Sequence, residues 1–205
     1  MSVNDHIKEE DIQEQILLAA KQLFQKHGLR KVTMDDVAKV VGKGRSSLYY
    51  YYKSKEEILD AVVDAEIRGM LKEVTCAVEL VPTAEQKIHA FFLTRLKHVQ
   101  GRRAFFNAMD IGMDAAEMSD LNKTKQAIHQ RIMKLESALL DQILTGGMEK
   151  GELRVMNQKD KEAMIFVLLN SLHGIKREVV IDNDFSRIDF LVDALTRMVI
   201  DGLRR

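Results

Sequence analysis

Apolar residues recur along this chain at helical intervals almost from end to end. Ile12, Ile16, Leu17, Ala20, Leu23 and Phe24 form a first stripe, which closes at His27 and Gly28. Val37, Val40 and Val41 form a second, shorter one, opened by Thr33 with Asp36 in the reciprocal capping-box position. A long helix runs over 54–79, ahead of the lone proline, Pro82. Its Ile58, Ala61, Val62, Ala65 and Ile67 are expected to pack on the N-terminal part, and its Met70, Leu71 and Val74 on the larger C-terminal part. A further capping box over 83–86 starts a helix carrying Ile88, Phe91, Phe92, Leu93 and Leu96, which ends near Gly101. Next come a short helix over 105–109, a looser acidic stretch over 110–120 and a long helix to Gly146 and Gly147. A turn over 151–154 leads to two last helices, over 158–180 and 185–203. No run alternates at the period of a strand, so the pattern predicts an all-α fold of about nine helices.

The stretch 33–57, TMDDVAKVVGKGRSSLYYYYKSKEE, has the densest local signals. Gly42 and Gly44 interrupt the helical pattern, and a short helix over 45–51 comes after them. Ser54 and Glu57 form the capping box of the next helix. Two short helices about a glycine turn make a helix-turn-helix, whose second helix enters the major groove of DNA. At about 100° per residue, Leu48, Tyr51 and Tyr52 share the sector that packs inward. Ser46, Tyr49 and Tyr50 share the opposite one, with Arg45 and Ser47 at its margins. Hydroxyls, rings and a guanidinium on that side suit phosphates and base edges.

The run G-K-G-R-S-S-L-Y-Y-Y-Y-K-S-K resembles the recognition-helix signature of the tetracycline-repressor (TetR) family of bacterial transcriptional regulators, roughly G-V-S-K-G-T-L-Y-x-Y/H-F-x-x-K. Gly42, Arg45, Ser47, Leu48, Tyr49, Tyr51, Tyr52 and Lys55 fall on its positions. Gly44 stands where that family usually has a Ser or Thr cap, and Ser46 where it usually has Gly. The specific resemblance covers residues 11–64. It implies a three-helix DNA-binding domain, here 1–56, followed by a helical effector-binding and dimerisation domain, here 57–205. It implies a homodimer, a palindromic operator on double-stranded DNA and a small-molecule effector. By resemblance and geometry, Thr33, Tyr49 and Lys55 are the expected phosphate contacts. Lys43, Gly44, Arg45, Ser46, Ser47 and Tyr50 are expected to read sequence or its flanks.

Overall charge says little, since 31 basic and 31 acidic residues cancel. Its distribution says more. Residues 21–55 hold nine Lys or Arg against Asp35 and Asp36, a net +7, so the remainder carries −7. One cationic end on an otherwise acidic body is the footprint of a nucleic-acid-facing head. Hydrophobic residues at 46% fit a globular chain with a sizeable core. Cys76 is the single cysteine and is expected to be a small buried hydrophobe in a reducing cytoplasm. No signal pattern and no membrane-spanning apolar run is present, so no membrane partner is expected.

The second half adds two features. The segment 163–169 is apolar around most of its circumference, and the last helix carries Ile188, Leu191, Val192, Leu195, Met198 and Val199, extended by Phe190, Ala194 and Ile200. Such surplus suits a homodimer closed as a four-helix bundle, although periodicity alone does not separate an interface from a core. The other feature is a set of aromatic and methionine residues with polar companions, the candidate lining of an effector pocket: Phe92, Phe105, Met109, Met113, His129, Met133, Phe166, Asn170 and His173.

No metalloprotease, nucleophile-elbow, phosphate-loop or dinucleotide motif occurs, so neither an enzyme nor a cofactor is predicted. Glu85 and His89 lie one helical turn apart, too few ligands for a metal. The rival to a ligand-responsive repressor is a helical small-molecule carrier or enzyme with an incidental basic end.

Overall fold

The computed structural model describes residues 3–100 and 115–204, and those residues form eight α-helices and no strand. They are α1 Val3–His27, α2 Met34–Val41, α3 Arg45–Tyr51, α4 Lys55–Glu79, α5 Ala84–Gln100, α6 Ala115–Glu149, α7 Gln158–Asp182 and α8 Ile188–Leu203. The short helix expected over 105–109 lies outside the described residues. The stretch 115–120, expected to be loose, is instead the first part of α6.

Two compact units hold these helices. One comprises the described residues within Met1–Ile67 and Arg103–Gln126, the other those within Arg68–Arg102 and Ala127–Arg205. The first unit therefore runs beyond residue 56 along α4, where Ile58, Leu59, Val62, Val63 and Ile67 are all buried.

In the first unit α1 packs on α2, and α2 on α3. Ile16, Ala19, Ala20 and Phe24 supply the buried stripe of α1. The buried residues of α2 are Met34, Val37 and Ala38, while Val40 is 56% exposed. The expected valine face is thus rotated: residues 34, 37, 38 and 41 share the inward sector, and position 40 falls outside it. Lys21 Nζ lies 2.7 Å from Glu66 Oε1 and ties α1 to α4.

In the second unit α5 packs on both α7 and α8. Its core includes Ile88, Phe91, Phe92, Leu96, Leu140, Leu144, Leu169, Leu172, Val192 and Leu203. The end of α6 approaches the start of α5 so closely that a Cβ on Gly147 would lie 2.7 Å from the Cβ of Ala84. Glycine is required there by contact, not by backbone angle. The Gly147 carbonyl accepts from the amides of Glu152 and Leu153, folding the chain back, and Arg154 donates its amide to the Leu203 carbonyl at 2.8 Å. Cys76 is exposed, which corrects its expected burial; it lies across α4 from the buried Val74 and Val78.

Candidate nucleic-acid interface and effector site

The reading head is framed by caps. Thr33 Oγ1 accepts from the Asp36 amide at 3.2 Å, and Asp36 Oδ2 accepts from the Thr33 amide at 2.8 Å, completing the box expected from the sequence. The same Asp36 oxygen accepts the Thr33 hydroxyl proton at 2.7 Å. These bonds to Thr33 hold the Asp36 carboxyl below its usual range. Gly42 ends α2 with φ +71°, the left-handed conformation that glycine takes without a Cβ clash. Gly44 precedes α3 at φ −68° and ψ 152°, ordinary extended backbone, so only Gly42 of the pair uses glycine's special freedom. Gly44 supplies no side-chain cap.

Helix α3 has the bounds expected from the sequence, with Leu48 fully buried and Tyr51 and Tyr52 half-buried behind it. Lys43, Arg45, Ser46 and Ser47 are exposed, Tyr50 is 67% exposed and Tyr49 half-buried. Tyr50 meets Tyr51 edge to face at 5.0 Å. Arg45 is held on two sides. Its Nη1 lies 3.3 Å from Asp35 Oδ2 and its Nη2 donates to the Tyr49 hydroxyl at 3.3 Å, with the guanidinium 5.4 Å from the Tyr49 ring centre. Lys53 Nζ donates to the Tyr49 carbonyl at 2.8 Å, a cation at the carbonyl end of α3. Lys55 is more enclosed: its Nζ donates to the carbonyls of Leu29 and Arg30, at 2.9 and 3.2 Å, and so pins the connection between α1 and α2. No local pattern announces the roles of Asp35 or of the Leu29 and Arg30 carbonyls, because both contacts join segments distant along the chain.

The residues expected to line an effector pocket do not all come together. Phe105, Met109 and Met113 lie outside the described residues. Phe92 is fully buried in the core of the second unit and Met133 packs half-buried against it. Phe166 and Asn170 are exposed on α7, on a face shared with Val167, Gly174 and Ile181, and Asn170 donates its side-chain amide to the Phe166 carbonyl at 2.8 Å. His129 and His173 do meet, ring edge to face at 5.0 Å.

Around that pair stands a charged cluster on α5, α6 and α7. Arg95 and Glu136 are buried and ion-paired, and His173 Nε2 lies 3.3 Å from the second Glu136 oxygen. Burial pushes the Glu136 carboxyl up, but the bond from His173 and the charge and bond from Arg95 outweigh it and leave the group below its ordinary value. Lys176 is half-buried beside them. Desolvation, reinforced by Arg95 and opposed by Glu136, lowers its ammonium to about 8. Burial, then His173 and Lys176, push His129 down against the pull of Glu136. Sequence reasoning missed Arg95, Glu136 and Lys176. The available signal was a charge set within an apolar helical stripe, as Arg95 sits beside Phe91, Phe92 and Leu96.

His89 and Glu85 do not share a site: His89 Nε2 faces Asp193 at 2.9 Å and Glu85 pairs with Arg204 at 3.2 Å. Among the described residues no cluster of metal-ligating side chains forms, and no helix is long and apolar enough to cross a membrane.

Comparison with known proteins agrees with this geometry. Residues 16–62 match the family model described as bacterial regulatory proteins, tetR family. The chain is 26% identical over 157 residues to the HTH-type transcriptional regulator YhgD of Bacillus subtilis, covering 75% of this chain and 76% of that one. It is 26% identical over 140 residues to the fatty acid metabolism regulator protein of Bacillus subtilis, covering 68% and 70%. The solved structure of the transcriptional regulator FadR from Bacillus subtilis in complex with stearoyl-CoA shares the fold, with a TM-score of 0.65 at 18% identity over 92% of this chain and 98% of that one. With a helix-turn-helix framed by Thr33, Gly42 and Leu48, and the family model lying across it, residues 16–62 form the DNA-binding domain of the tetR family of bacterial regulatory proteins.

Proposed function

We propose that this chain is a cytoplasmic, homodimeric transcriptional repressor that leaves a palindromic operator when a small, largely apolar effector binds its second unit. The observation that carries the DNA-binding half is the outward side of α3. Leu48 anchors the helix inward while Arg45, Ser46, Ser47 and Tyr50 stand exposed together on a cationic head. Thr33, Tyr49 and Lys55 fix the phosphates, and Lys43, Gly44, Arg45, Ser46, Ser47 and Tyr50 read bases or their flanks.

The dimer is supported by apolar surface on the last two helices. Phe166, Val167 and Ile181 on α7, and Phe190 and Met198 on α8, are each more than half exposed. A chain in water gains by covering such a surface, and two copies of a helix pair close as a four-helix bundle about a two-fold axis. That symmetry sets two reading heads on half-sites about one helical turn, or a multiple, apart.

The effector half draws on the relatives. One is a fatty acid metabolism regulator and another was solved with stearoyl-CoA, which favours a ligand with a long apolar body. Helix α4 begins in the first unit and ends in the second, and serves as the lever. A ligand that binds best when the heads are wrongly spaced must lower operator affinity, and the operator must lower its affinity in return.

Fluorescence anisotropy on the DNA upstream of the chain's own gene, against a shuffled duplex of equal length, tests this reading. A regulator binds the first about 10³-fold or more tightly than the second at physiological salt. Equal, salt-labile binding to both would instead identify a helical carrier or enzyme with an incidental basic end.

A further inference from the structure

We infer that Arg95 and Lys176, with His129 and His173 beside them, form the seat of an anionic group on the effector. The inference rests on the regulator reading and adds the chemistry of the ligand's polar end.

Glu136 is the carboxylate of the cluster, and it is committed on both oxygens: to Arg95 through one and to His173 through the other. Lys176 is left over. Among the described residues its ammonium makes no hydrogen bond and no ion pair, although it lies close enough to Arg95 and Glu136 to feel both. Lys176 follows His173 by about one helical turn on α7, so two cations, Arg95 and Lys176, stand with one carboxylate inside a helical unit whose neighbouring core positions, Phe92 and Leu172, are fully apolar. A surplus cation, even half-buried, is costly unless something pairs with it. An anionic partner that comes and goes would relieve that cost.

The cluster is also graded from inside to outside. Glu136 and Arg95 are buried, His173 and Lys176 are half-buried, and His129 is exposed, one helical face along α6 from Glu136. A ligand oxygen arriving past His129 would meet the imidazole pair first and Lys176 next, without displacing the Arg95–Glu136 bond. The chemistry that fits is an oxyanion joined to an apolar body. A carboxylate and a phosphate both qualify, since a lysine ammonium acts as a point charge toward either.

The test uses the full-length protein without DNA and three probes of equal chain length: dodecanoate, dodecanoyl-CoA and 1-dodecanol. Calorimetric affinities are compared between the natural chain and Lys176→Met. The expected result is that at least one of the two anionic probes binds more tightly than the alcohol. In Lys176→Met that advantage falls about 10- to 100-fold while the affinity for dodecanol is kept. Whichever anionic probe shows the effect identifies carboxylate or phosphate as the group. Glu136→Gln, which keeps an acceptor for Arg95 while removing the competing charge, should tighten the same probe several-fold. The inference is overturned if dodecanol matches both anions, if no probe binds, if Lys176→Met keeps the preference, or if Glu136→Gln weakens the anion.

Operator affinity without ligand, measured on the same preparations, separates the two readings. Sequence-blind DNA binding removes the regulator and leaves the ligand result standing. Intact operator binding with no preference for an anion removes only this inference.

Discussion

Arg45 at the start of the recognition helix is paired with Asp35 of α2 across the glycine turn, Nη1 to Oδ2 at 3.3 Å. With the Tyr49 hydroxyl on its other side, the guanidinium is oriented before DNA arrives. The pair is exposed at both ends, so it contributes little to stability. Its effect is on binding. If Arg45 contacts DNA as proposed, Asp35 orders a flexible cation that would otherwise have to be ordered on the DNA, and it sets a negative charge near the phosphates. Asp35→Asn is therefore expected to raise affinity for shuffled DNA several-fold and to raise operator affinity less, narrowing the ratio between them. Anisotropy titrations on both duplexes read this directly. An unchanged ratio would mean that Asp35 has no part in positioning Arg45.

The proposed phosphate contact gives Lys55 a second task beside its bonds to the α1–α2 connection. Two of its three ammonium protons go to the Leu29 and Arg30 carbonyls, and one remains for a phosphate. Lys55→Met should lower the melting temperature of the protein, since charge-assisted hydrogen bonds contribute about 1.5–3 kcal/mol each when partly enclosed. It should also weaken operator and shuffled DNA alike and lower the salt slope of log affinity by about one. A loss of melting temperature with an unaltered slope would confine Lys55 to bracing the connection between α1 and α2.

Much of the reading head was legible in the sequence because its signals are local. A cap at Thr33, a glycine at 42 and the spacing of Leu48, Tyr51 and Tyr52 lie within a few residues of one another, and each has its own stereochemical cause. Val40 shows the limit even there, since a short helix has few residues to set its inward direction. In the second unit the limit is more serious. The 163–169 segment of α7 is apolar around most of its circumference, and periodicity tells which residues share a face but not whether that face meets the core or solvent. Phe166 and Asn170, grouped by pattern with His173, stand on the exposed side of α7. The Arg95–Glu136 pair spans forty-one positions, so a charge within the apolar stripe of α5 can single out Arg95 but cannot name its partner on α6.

The exposed face of α7 and α8 yields a prediction for assembly. Phe190 is 69% exposed, so a charge in its place leaves the packed core of one subunit untouched. Phe190→Glu should therefore keep helical content and melting behaviour at low concentration while converting a dimer into a monomer in light scattering. Loss of the second head removes the gain from binding two half-sites at once, so operator affinity should fall by about 10²-fold or more. A Phe190→Glu protein that stays dimeric would place the interface elsewhere.

Lys176 makes the stability of the second unit depend on pH in a direction that can be worked out. Its folded value of about 8 lies below the ordinary 10.5, so the folded state gives up this proton more readily than the unfolded state. Between pH 8 and 10.5 the unfolded chain binds more protons at this position, and stability therefore rises with pH through that window. The destabilisation is fully present below pH 8 and is relieved as pH approaches 10.5; a shift of this size corresponds to about 3 kcal/mol. Other lysines and the tyrosines titrate in the same range, so the informative quantity is the difference between two proteins. Urea unfolding at pH 7 and pH 10 should show Lys176→Met to be more stable than the natural chain at the lower pH, with the gap closing at the higher. An anion seated on the ammonium would narrow that gap at pH 7, because it stabilises the charged form in the folded state alone. A gap that is the same at both pH values would mean that the Lys176 ammonium is as well solvated in the folded protein as in the unfolded one.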